Sequence, residues 1–93
     1  MRQIEFKPSF DRLYRKLDLF KKQKIDEAIG ALLTALENNE MPRGLGLKRL
    51  KGDIWEIRLD LSLRVGFRMK KDLIEFGTAG NHETIKRFLK NQT

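Results

Sequence analysis

Trp55-Glu56-Ile57-Arg58-Leu59-Asp60 and Leu63-Arg64-Val65-Gly66-Phe67-Arg68-Met69-Lys70 alternate apolar and polar side chains, with only Leu61-Ser62 between them. Successive side chains of a strand point to opposite faces. This period-2 pattern therefore reads as two strands of a hairpin, each with one face in a core and one in water. The wet face of the first strand carries Glu56 and Arg58. That of the second carries Arg64, Arg68 and Lys70, and Gly66 leaves an open spot between the two arginines.

Working outward, Lys71-Asp72 turns the chain into a further strand, Leu73 to Gly77. Gly80-Asn81 then opens a last helix, with Ile85, Phe88 and Leu89 as its apolar positions. On the other side, residues 40–52 are rich in Gly and basic residues and read as a loop. Residues 2–7 alternate around Ile4 and Phe6 and read as a first strand. Pro8-Ser9 stops it, and Ser9 is the expected N-cap of a short helix whose stripe is Phe10, Leu13, Tyr14 and Leu17. A break at Asp18-Leu19 leads to a longer helix, roughly 20–38, with Ile25, Ala28, Ile29, Leu32, Leu33 and Leu36 on its buried face. Asn38-Asn39 and Pro42 end it. The expected fold is α+β, in the order β-α-α-β-β-β-α. It is a single domain over 1–93, an antiparallel sheet with an N-terminal helical hairpin on one face and a short C-terminal helix.

The net charge is +7, and it is crowded. Residues 42–70 hold eight Lys or Arg against three Asp or Glu, an excess of five in less than a third of the chain. Such a concentration suits a phosphate backbone, because neutralising phosphates releases counterions. The absence of cysteine excludes disulfides and thiolate metal sites, and one histidine argues against a histidine-cluster metal site. No apolar run approaches a membrane span, and Met1-Arg2-Gln3-Ile4-Glu5 lacks the apolar core of a secretory leader. A cytoplasmic protein without a metal or small-molecule cofactor is expected.

The open face of the hairpin gathers the parts of metal-free RNA cleavage. Arginine forks bind phosphate oxygens in bidentate fashion and stay charged. An imidazole ordinarily titrates near neutrality, so His82 suits proton transfer. At a helix start the dipole favours the neutral imidazole, which fits a base. Cleavage needs a base for the ribose 2′-OH, an acid for the leaving 5′-oxygen and cations for the charge on the phosphorane. Plainer roles compete with each of these. A lone histidine at a helix start is more often an exposed or capping residue. Phe88 stands at core spacing from Ile85 and Leu89, and Glu56 opposite arginines is more often a cross-strand ion pair.

The segment Leu47-Lys48-Arg49-Leu50-Lys51-Gly52, then Ile54-Trp55-Glu56-Ile57-Arg58-Leu59, then Leu63-Arg64-Val65-Gly66-Phe67-Arg68, resembles the central part of RelE/ParE-superfamily toxins. Gly80-Asn81-His82-Glu83 with Ile85 and Phe88 is similar to the ending of that family, and Ile4 to Leu17 fits its start. The resemblance implies the toxin of a type II toxin–antitoxin system, with a cognate antitoxin as partner. Its RelE-like members are endoribonucleases that cleave mRNA in the ribosomal A site without a metal. Carried over by position, Arg64 is the arginine expected at the scissile phosphate. Arg58 is a second cation on the neighbouring strand, and His82 stands where members carry arginine or histidine. Phe88 stands at an aromatic position suited to stacking on a base. Arg43, Lys48, Arg49, Lys51 and Arg68 are the expected RNA contacts. Phe88 has no hydroxyl and so transfers no proton, and Glu56 falls where some members carry lysine. The general base is open between Glu56 and His82. A ParE-like inhibitor of DNA gyrase and a non-toxic RNA-binding relative are the other readings of the same resemblance.

Overall fold

The computed structural model describes residues 2–42 and 44–91. Strand β1 (Gln3–Phe6) runs into helix α1 (Pro8–Arg15). Pro8 occupies the first turn, where a missing N–H costs nothing, and Lys7 takes the cap position. Ser9 is therefore not the N-cap. Its hydroxyl instead donates to the carbonyl of Gly77, 2.7 Å away, and ties α1 to the sheet. Helix α2 (Leu19–Glu37) starts where expected, with the Asp18 carboxylate accepting from the Lys21 N–H at 2.8 Å. It ends at Asn38, and Asn39 follows with φ of 56°, the left-handed turn that closes many helices.

Four more strands follow: β2 (Leu47–Lys51), β3 (Ile54–Arg58), β4 (Arg64–Met69) and β5 (Leu73–Gly80). Helix α3 (His82–Lys90) closes the chain. The sheet order is β1-β5-β4-β3-β2. The α+β class, the helical hairpin and the C-terminal helix agree with the sequence reading. Three features differ from it, the first being that β5 runs on to Gly80 where the sequence reading ends it at Gly77. Leu47–Lys51, read as part of a loop, is an edge strand paired antiparallel with β3. Leu47 packs against the core, and this anchors the strand despite its charges. In addition, β1 pairs parallel with β5, so the sheet is mixed rather than wholly antiparallel.

The core lies between the helical hairpin and one face of the sheet. Phe10, Ile25, Ala28, Ile29 and Leu32 meet Ile57, Leu63, Val65, Phe67, Ile74, Phe76 and Ala79. Fully burying one such large side chain stabilises by about 1.5–3 kcal/mol. Gly66 lies between Val65 and Phe67 and so faces the opposite side, together with Arg64 and Arg68. That side is not open throughout, because α3 packs on it. The Phe88 ring sits so close to Gly77 that a Cβ there would collide with it, and at Gly66 a Cβ would lie 3.0 Å from the same ring and 2.8 Å from Thr78 Cγ2. The open spot expected at Gly66 is thus filled by an aromatic ring.

Candidate nucleic-acid interface

Strand register lays the charged residues out in rows. Arg58 on β3 stands opposite Arg64 on β4, which stands opposite Gly80 on β5. Neighbouring strands lie about 4.8 Å apart, so the two arginine backbones are adjacent. The next row holds Lys48, Glu56, Gly66 and Thr78, one from each of β2 to β5. Beyond it Arg68 stands between Ile54 and Glu75.

The β5–α3 corner sets His82 beside the first row. Gly80 approaches Thr84 so closely that a Cβ would lie 2.7 Å from its hydroxyl. Asn81 then caps α3, its side chain accepting from the Thr84 N–H at 3.0 Å and from the Thr84 hydroxyl at 3.1 Å. His82 is the first residue of the helix, two positions past the glycine opposite Arg64, and it is exposed.

The arginines differ in their surroundings. Arg58 is exposed and forms no ion pair with a described residue. It also borders a groove of about 290 Å³ shared with Lys24, Glu27, Gly44 and Leu45. Arg64 keeps only 14% of its side-chain surface exposed, and its Nη1 lies 3.2 Å from Glu56 Oε2. Glu56 is itself buried, 5% exposed by side chain. The carboxylate is thus the cross-strand ion pair that the plainer reading offered. It reaches Arg64 diagonally, because Gly66 and not Arg64 is its direct partner in the ladder. Arg68 pairs with Asp53, a partner that the sequence pattern did not reveal.

The basic segment is split by the strand it forms. Lys48 and Lys51 share the face of Glu56 and Ile54 by register, while Arg49 stands opposite Trp55 on the other face. Arg49 Nε donates to the Gly52 carbonyl at 2.7 Å. Arg43 lies outside the described residues. Phe88 is half-buried, with one side of its ring against Gly66 and Gly77. Among the described residues no helix is long and apolar enough to cross a membrane. No group of three or more His, Cys, Asp or Glu among them is placed to hold a metal ion.

A larger cavity, about 660 Å³, lies elsewhere. Arg2, Ile4, Leu33, Leu36, Lys71 and Ile74 line it, at the end of the sheet away from Arg58 and Arg64.

No protein-family model matches this sequence, and no curated protein matches it. Solved structures do. The RelB–RelE antitoxin–toxin complex from Methanococcus jannaschii matches with a TM-score of 0.69 at 19% identity, covering 90% of this chain and 96% of that one. The YoeB/ParE toxin from Agrobacterium tumefaciens matches at 0.67 and 21%, covering 88% and 99%. YafQ from E. coli strain BL21(DE3) matches at 0.66 and 18%, covering 91% and 98%. The chain therefore has the fold of the RelE/ParE-superfamily toxins over nearly its whole length, as the resemblance in sequence implies.

Proposed function

We propose that this protein is the toxin of a type II toxin–antitoxin pair and that it cleaves mRNA on the ribosome. The observation that carries the reading is the row Arg58–Arg64–Gly80 with His82 at its end, on a fold shared with toxins. In this reading Arg58 and Arg64 hold the non-bridging oxygens of the scissile phosphate. His82, exposed and free of the burial that surrounds Glu56, takes the proton of the 2′-OH. The 2′-oxygen bonds to phosphorus, the bond to the 5′-oxygen breaks, and that oxygen takes a proton from water. Phe88, only half-buried, stacks on a base with its remaining exposed surface. Arg49 and Lys51 on the edge strand meet ribosomal RNA phosphates. The partner at rest is an antitoxin whose acidic residues cover the same face.

Purified protein added to translating ribosomes is expected to cut the mRNA, and the Arg64→Ala/His82→Ala double variant is expected to leave it whole. Intact mRNA with the wild-type chain overturns the reading. Trapped DNA breaks in a gyrase supercoiling assay would replace it with gyrase inhibition.

A further inference from the structure

The contact between Glu56 and Arg64 is a poor version of what these groups are able to form. A carboxylate and a guanidinium pair best through two parallel N–H···O bonds of about 2.7–2.9 Å. Here only Nη1 is engaged, and both of its contacts are long, 3.2 Å to Oε2 and 3.5 Å to Oε1. Arg64 Nε is buried without a hydrogen-bond partner. A buried donor without an acceptor is costly. The guanidinium is thus held by one corner and has donor capacity in reserve for an anion that presents two oxygens.

A second cation stands ready for the carboxylate. Lys48 is directly opposite Glu56 on β2 and is exposed, so its ammonium is within reach across the strand pair. On the other flank Gly66 offers no side chain, and the Phe88 ring fills that position. Lys48 is the one cation directly opposite Glu56 in its row of the ladder.

We propose that Glu56 is a charge latch on the phosphate site: it holds Arg64 at rest and passes to Lys48 when an RNA phosphate takes the guanidinium. The latch rests on the RNA-directed reading above and deepens it, because it makes Glu56 the residue that sets affinity for the phosphate. It also gives Lys48 a role other than direct RNA contact. An anion fixed beside the phosphate site opposes the incoming phosphate, and the hand-over to Lys48 removes part of that opposition.

The test uses a 2′-O-methyl RNA hexamer, which the proposed 2′-OH chemistry cannot cleave, so that binding is read apart from activity. Glu56→Gln is expected to bind the hexamer about tenfold more tightly than wild type at low salt. Lys48→Met is expected to weaken binding severalfold in the wild-type background and to change it less than twofold in the Glu56→Gln background. Weaker or unchanged binding by Glu56→Gln overturns the latch. Equal losses from Lys48→Met in both backgrounds also overturn it, since Lys48 is then a plain phosphate contact. The wild-type protein supplies a measurement that needs no variant to fold. The ¹H–¹⁵N signal of Arg64 Nε is expected to shift as the hexamer saturates, together with the Glu56 carboxyl ¹³C signal. An unmoved Nε signal at saturation, or no binding of the hexamer at all, overturns the proposal. If the wild type leaves ribosomal mRNA intact while the binding cycle behaves as expected, cleavage fails and the latch stands.

Discussion

Placing a methyl group at Gly77 tests how α3 is seated. The backbone of Gly77 is not in the left-handed region, so alanine suits its conformation. The obstacle is the Phe88 ring, whose Cε1 would overlap the new Cβ, with Cζ 2.9 Å and Cδ1 3.4 Å away. Overpacking of this kind costs about 1–3 kcal/mol. For a chain of this size each kcal/mol moves the melting temperature by about 4–8 °C, so Gly77→Ala is expected to melt about 5–20 °C lower. Removing the ring reverses the sign. In a Phe88→Ala background the methyl has room, and alanine restricts the unfolded chain, which stabilises by about 0.4–1 kcal/mol. Thermal or urea melts of the four proteins give the cycle. The same loss from Gly77→Ala with and without the ring would refute the packing of α3 through Phe88.

Three further outcomes follow from single sites. The Lys24 ammonium, bonded to Asp60 at 3.0 Å, and the Ser62 N–H lower the Asp60 pKa from 3.8 to about 2. Because the folded value lies below the unfolded one, the stabilisation is present above about pH 4 and is lost as pH falls toward 2. A carboxyl ¹³C titration is expected to show a midpoint near 2 that rises toward 3.8 in Lys24→Met. Gly46 has φ of 70°, and a Cβ there would strike the Arg58 carbonyl oxygen. Gly46→Ala is therefore expected to destabilise by about 1–3 kcal/mol in urea melts, and an unchanged midpoint would contradict the close approach. Arg58→Ala is expected to weaken single-stranded RNA binding and to reduce the slope of log K against log salt by about 0.7, as one lost phosphate contact requires.

Much of the fold was legible because local period decides it. The alternation through Ile57, Val65 and Phe67 and the stripe of Ile25, Ala28, Ile29 and Leu32 reach the same core from opposite layers. What escaped depends on distant partners. Gln3 pairs with Leu73, and no local pattern announces a parallel neighbour so far along the chain. β2 was hidden because three of its five residues are cationic, which is how an edge strand discourages pairing with other chains. At the site, alternation placed Glu56 and Arg64 on one face, but their diagonal contact follows from a register the sequence does not print. Ser9 was misread because the local capping rule competed with a long-range acceptor at Gly77, and the long-range bond won.

The central claim concerns how the RNA breaks, and the ends of the fragments record it. Attack by the 2′-OH, with His82 as base and Arg58 and Arg64 on the phosphate, leaves a 2′,3′-cyclic phosphate on one fragment and a 5′-hydroxyl on the other. Mass spectrometry of mRNA fragments from translating ribosomes is expected to show these ends with the wild-type chain, and a rate lower by about 10²–10³ with Arg64→Ala. Fragments carrying 5′-phosphates, or the same cyclic ends formed at an undiminished rate by Arg64→Ala, would contradict it.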